Sequence, residues 1–326
     1  MKALVYDGPR TLSYKEVADP PTEMTGELIR VEAVGICGSD MHAYLGHDSR
    51  RPAPLILGHE AAGTIEGGPR AGERVTINPL VTCGICPACQ AGRENLCPER
   101  QIISMPPREG AFAQYVSMPS RNLTTVPENV PLEQAALAEP LAVSWHAARL
   151  ALSALPEGGR RDALVIGGGA IGVAAVLALR AMGVDRVVIA ERNEARQDFL
   201  SDICGFDVVD SPQGDFAVVI DAVGLSVTRA LASALACPGG VIAHIGLGED
   251  RGGLDIRRIT LQEIQFIGTY TYTDQDFRDT ASAIFAGRLG PLDWFEKRPL
   301  AEGARAFKDL NRHAVSAPKI ILTPWA

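Results

Sequence analysis

The stretch Ala163-Leu164-Val165-Ile166-Gly167-Gly168-Gly169-Ala170-Ile171-Gly172 decides the fold of this chain. Four apolar residues read as a buried strand, and the glycines lead into an apolar helix expected over Val173 to Met182. A bare G-x-G-x-x-G is a weak signal. Set between a strand and a helix and followed by a second strand, it has the context of a dinucleotide-binding turn. Glycine permits both the tight turn and the close approach of a pyrophosphate, which would sit on the helix N-terminus. Gly167, Gly169, Ala170, Ile171 and Gly172 are therefore candidate cofactor contacts.

Working outward, the second strand Arg186-Val187-Val188-Ile189-Ala190 ends in Glu191, nineteen residues past Gly172. A carboxylate there accepts hydrogen bonds from ribose hydroxyls and repels a 2′-phosphate. Arg192 and Arg196 stand close by and pull the other way, so NAD is expected ahead of NADP. Further β/α alternation follows: Ala217 to Asp221 with a turn at Val223, Gly240 to Gly246, and Ile264 to Gly268. That pattern predicts a doubly wound parallel sheet. Between Asp207-Val208-Val209 and Ala217 the chain is too short for a crossover helix, which predicts a rudimentary third strand.

Before about Val126 the texture differs, with short apolar runs alternating with Gly, Pro and Asp clusters, as in a β-barrel or sandwich. Within it Cys83, Cys86, Cys89 and Cys97 are separated by two, two and seven residues. Four thiolates at such spacing close a tetrahedral structural zinc site, with iron–sulfur ligation or loop disulfides as the weaker readings. A second set is dispersed: Cys37 in a glycine-framed corner, His59 and Glu60 between Gly58 and Gly63, and Glu139 ahead of a helical stretch. Sulfur, imidazole and carboxylate suit a zinc ion that keeps one position open. Taken singly, each of these residues reads more simply as packing.

At 326 residues two domains are expected. A net charge of −8 without a Lys/Arg block argues against a nucleic-acid partner, and no apolar run reaches membrane-spanning length. The opening Met1 to Asp7 reads as a strand rather than a signal peptide. Clustered thiols fit a metal in a reducing cytoplasm better than a disulfide framework.

The motif Gly58-His59-Glu60-Ala61-Ala62-Gly63, the four-cysteine lobe, Gly167 to Gly172 and Cys37-Gly38-Ser39-Asp40 resemble the medium-chain zinc-dependent alcohol dehydrogenase family. The likeness runs along nearly the whole chain, and Glu139-Pro140-Leu141 places it nearest the polyol, threonine and sugar-acid dehydrogenases. The resemblance implies a β-rich GroES-like catalytic domain over 1–140, with its structural zinc lobe at about 83–97. It further implies a Rossmann NAD-binding domain over 141–273 and a C-terminal segment, 274–326, that returns to the catalytic domain through a strand at Lys319 to Leu322. It also implies a catalytic zinc on Cys37, His59 and Glu60, with Glu139 beside it directly or through water. Ser39 and His42 match the family's proton-relay positions; the plain alternative for Ser39 is a helix cap. Thr269 and Tyr270 fall on the nicotinamide-side strand, Val223 and Gly246 are further expected cofactor contacts, and Thr271 replaces an arginine that polyol dehydrogenases carry near the substrate. The expected activity is oxidation of a small polar secondary alcohol by a homodimer or homotetramer; the contrasting reading is a catalytically silent, zinc-stabilised nucleotide-binding module.

Overall fold

The computed structural model describes residues 1–21 and 26–326. The chain divides into two compact units: Met1–Glu139 with Thr273–Gly287 and Phe295–Ala326, and Pro140–Tyr272 with Arg288–Trp294.

The first unit is built on a mixed sheet. Its strands run in the order Leu123–Thr125, Arg74–Ile77, Glu60–Glu66, Gly26–Gly35, Lys319–Thr323 and Phe295–Pro299, and Tyr115–Pro119 also pairs with Gly26–Gly35. The last strand of the chain thus inserts antiparallel beside one of the first, placing Leu322 opposite Val34. Ile29, Val31, Val34, Ile65, Val75, Ile77 and Ile320 to Leu322 are buried along these strands. Opposite the other edge of the same strand, Gly35 faces Glu60. A Cβ on Gly35 would lie 2.1 Å from Glu60 Oε2, so glycine is needed there for the carboxylate to fit.

The second unit is a six-stranded parallel sheet. Its order is Asp207–Val209, Val187–Ala190, Ala163–Ile166, Phe216–Asp221, Ala236–His244 and Gln265–Gly268, the doubly wound order expected from the alternation of strands and helices. Leu164, Ile166, Val188, Val219 and Ile242 pack one face against Ala232 and Ile264. The third strand has only three residues and stands at the sheet edge, as the missing crossover helix predicted. The connection to Phe216 passes three strand spacings, about 14 Å, within the roughly 25 Å its extended residues can span. Arg160 anchors the end of that connection through Asp215 at 2.6 Å.

Two local expectations shift. The helix expected from Val173 begins earlier and spans Ala170–Ala181, because Gly169 already supplies the extended cap. Ser39 is not a helix cap: the helix is Gly38–Tyr44 and Cys37 occupies the cap position. Ser39 falls in the first turn, and its hydroxyl is left for side-chain partners. No described helix is long and apolar enough to cross a membrane.

Candidate metal and cofactor sites

The four cysteines converge as their spacing implied. Sγ to Sγ separations are 3.5 Å for Cys86 and Cys89, 3.6 Å for Cys97 and Cys83, and 3.9 Å for Cys83 and Cys89. Sulfurs arranged tetrahedrally about one zinc at ~2.3 Å stand ~3.8 Å apart. Disulfides would need about 2.05 Å, and all seven cysteines are free. The donors therefore fit a zinc with no position to spare. Backbone amides of Ile85 and Cys86 pull the Cys83 thiol down to about 6, toward the thiolate that a metal requires. Cys89 shows the reverse, since burial pushes its thiol up to about 12.

The dispersed set is assembled by the sheet of the first unit. Cys37 follows the strand Gly26–Gly35, and His59 sits between Leu55–Ile56 and Glu60–Glu66. The ligand atoms of Cys37, His59 and Glu60 all lie within 4.8 Å of one another. Atoms sharing a zinc at about 2.0–2.3 Å sit ~3.3–3.8 Å apart, so small side-chain rotations close this set. Three mixed donors fit a metal that keeps a fourth position open. Glu139, in the first turn of the helix Ala138–Ala154, is buried but stands outside this group of three.

Four residues that the sequence reading did not single out complete the surroundings. Lys319 is 3% exposed, and its Nζ donates to both Glu60 oxygens at 2.7 Å and to the Ile36 carbonyl at 3.0 Å. Burial disfavours that ammonium, but Glu60, with Cys37 and Glu139 nearby, outweighs it and holds its pKa above the ordinary lysine value. A charged residue at the head of an apolar strand was the available signal, because a buried charge needs a partner. Asp40, fully buried, accepts from the amides of Cys37 at 3.0 Å and Gly58 at 3.2 Å, with its Oδ1 3.5 Å from His59 Nδ1. Burial raises the Asp40 carboxyl, yet His59 and Arg51 overcome this and leave it below the usual range. Arg51 and Ser104 are also buried beside this centre. Ser39 Oγ lies 3.5 Å from His59 Nε2. His42 stands exposed on the same short helix.

In the second unit, every expected cofactor residue lies at the carboxyl ends of the parallel strands. Gly167 follows Ile166, Glu191 follows Ala190, Val223 and Gly246 come two residues past their strands, and Thr269 and Tyr270 follow Gly268. This is the edge at which doubly wound sheets bind ligands. Gly167 has a φ of +100°, and a Cβ on Gly172 would fall 1.7 Å from the Gly167 carbonyl, so both glycines are dictated by the turn. Ala170 and Ile171 open the helix behind it. Glu191 accepts from the amides of Gly168 at 2.8 Å, Arg192 at 2.7 Å and Asn193 at 2.8 Å, which fixes its carboxylate beside the glycine turn. Arg192 is exposed. Arg196 reaches the Gly168 carbonyl at 3.4 Å; burial lowers its pKa against the pull of Glu191. Thr269 donates twice to the His244 carbonyl, at 3.0 Å and 3.1 Å. Thr271 holds a φ of 45°, with a buried hydroxyl that has no hydrogen-bond partner among the described residues.

Residues 24–128 match the model of the alcohol dehydrogenase GroES-like domain, and residues 170–286 match that of the zinc-binding dehydrogenases. Sorbitol dehydrogenase of Bacillus subtilis is 33% identical over 84% of this chain and 83% of its own length. An alcohol dehydrogenase of Escherichia coli CFT073 complexed with NADH superposes with a TM-score of 0.88 at 26% identity, covering 99% of each chain. A zinc-binding dehydrogenase of Sinorhizobium meliloti 1021 bound to NADP gives 0.87 at 27% identity, again over 99% of each chain.

Proposed function

The chain belongs to the medium-chain zinc-dependent alcohol dehydrogenase family, and from that premise we propose that it transfers hydride from a secondary alcohol of a polyol, sugar acid or similar small polar alcohol to NAD, giving the ketone. The convergence of Cys37, His59 and Glu60 within 4.8 Å, with Ser39 beside them, is the observation that carries this reading. Bound there, zinc would supply Lewis acidity to a substrate hydroxyl.

Cys37, His59 and Glu60 would hold that ion, with Glu139 beside it directly or through its water. Glu60 is anchored by Lys319 and sets the charge of the centre from the buried side. Asp40 faces His59 Nδ1, which leaves Nε2 for the metal. Ser39, on the Nε2 side, would take the proton of the alcohol and pass it toward the imidazole of His42, exposed on the same helix. Glu191 would accept the adenosine ribose hydroxyls and disfavour a 2′-phosphate, which supports NAD over NADP. The four-cysteine lobe holds the second, structural zinc and takes no part in turnover. Assembly as a homodimer or homotetramer in the cytoplasm belongs to the same reading.

The test is the absorbance of reduced nicotinamide when the zinc-loaded protein meets NAD and a panel of sugar alcohols and aldonates. Turnover with at least one of them is expected. Nucleotide binding without turnover of any would instead support the silent binding module.

A further inference from the structure

We propose that Ser104 and Arg51 form a positioning pair that sets the ring orientation of His59 and the place of Ser39; the inference rests on the zinc reading of the Cys37–His59 centre. Ser104 is fully buried and holds a φ of 72°. A non-glycine residue persists in that region only where its surroundings over-determine it, and such residues gather at functional sites. Two contacts hold Ser104. Arg51 Nε donates to its carbonyl at 3.1 Å, and its Oγ lies 3.3 Å from His59 Nδ1.

Arg51 is itself 3% exposed. Its Nη1 pairs with Asp48, and its Nη2 donates to Ser39 Oγ at 3.4 Å. Arg50 grips the same Asp48 carboxylate at 2.8 Å and 3.0 Å, which fixes the anchor. One guanidinium therefore reaches both edges of the imidazole: through Ser104 on the Nδ1 side, and through Ser39, whose Oγ is 3.5 Å from Nε2.

The Nδ1 edge also has Asp40 Oδ1 at 3.5 Å, but Asp40 already accepts from the amides of Cys37 and Gly58. Ser104 supplies the nearer oxygen. With the ring proton on Nδ1, the Nε2 lone pair is left for the metal. Outer partners of this kind usually change metal affinity by about 10–100-fold when removed.

Glycine at position 104 separates a positioning role from a merely structural one, because it removes the hydroxyl while relieving the left-handed backbone. Zinc-loaded protein is titrated against a chelator, and the release step lost in Cys37→Ser identifies this centre. Ser104→Gly and Ser104→Ala should both weaken that step by about 10–100-fold and leave the four-cysteine step unmoved. The melting temperature of metal-free Ser104→Gly should equal or exceed that of the wild type. Arg51→Met should weaken the same step and lower kcat, with Arg51→Lys recovering part of both. Wild-type zinc affinity in Ser104→Gly, beside a defective Cys37→Ser, would overturn this inference alone. Lost affinity that merely tracks a lower metal-free melting temperature would overturn it too. A Cys37→Ser protein that keeps both release steps would remove the zinc reading, and this inference with it.

Discussion

The two candidate metal-binding clusters of this molecule are built in opposite ways. Cys83, Cys86, Cys89 and Cys97 come from one short stretch folded on itself, with a four-residue helix and a 3₁₀ turn setting the sulfurs. Cys37 caps the helix Gly38–Tyr44, His59 and Glu60 stand at the start of the strand Glu60–Glu66, and Lys319, which pairs with Glu60, arrives from the end of the chain. The first cluster is a closed set of identical donors. The second is a mixed set surrounded by groups that tune it. A local cluster can be complete without the rest of the protein, and that suits stability. A dispersed cluster depends on the tertiary fold, and that suits chemistry, since each partner can be adjusted separately.

The largest expected effect tests the local cluster. Cys89→Ser, or chelation of its zinc, should cause a large loss of thermal stability and soluble yield. Structural zinc contributes about 10–16 kcal/mol in zinc-finger peptides, comparable with the whole stability of a domain at about 5–15 kcal/mol. A variant with an unchanged melting temperature would break the comparison at once.

His59→Ala should abolish turnover while the fold survives, one zinc per chain being retained. An active His59→Ala protein would mean that the dispersed cluster is not the reaction centre.

Lys319→Met leaves Glu60 as an uncompensated buried charge and should destabilise by about 3–5 kcal/mol in denaturant titration. The reason is geometric, since both carboxylate oxygens are engaged by that one ammonium. A loss below ~1 kcal/mol would show that the metal, rather than Lys319, carries the charge balance.

Ser39→Ala should slow alcohol oxidation by roughly 10²–10⁴ with zinc content unchanged, the range of lost general acid–base catalysis. Wild-type rates would take the relay out of the mechanism while leaving the metal centre standing.

The smallest effect belongs to the second unit. Glu191→Ala removes a carboxylate held by three amides and should shift the NAD to NADP preference by about 10-fold in kcat/KM. A wild-type protein that already favours NADP would show that Arg192 and Arg196 dominate there.

Much of this was legible in residue order alone, wherever the determining contacts are close in sequence. The strand–glycine–helix unit at Ala163 to Gly172 follows from backbone sterics that any such stretch shares, and the four-cysteine spacing is its own geometry. Even the three-residue strand Asp207–Val209 was readable, because chain reach forbids a crossover helix in so few residues. The boundaries that moved, at Ala170 and Gly38, turn on cap geometry a residue or two away from the expected point.

What tertiary structure decided lies around the dispersed centre. Lys319 is 259 residues from Glu60, and Ser104 is 45 from His59, so no local pattern joins either pair. Their pairing follows from which strand enters the sheet beside which, and from the rule that a buried charge or ring nitrogen must find a partner where the fold leaves room. The residue types at the centre were therefore written in the sequence, whereas the groups around them came together only in the tertiary fold, Lys319 when the last strand paired with Gly26–Gly35.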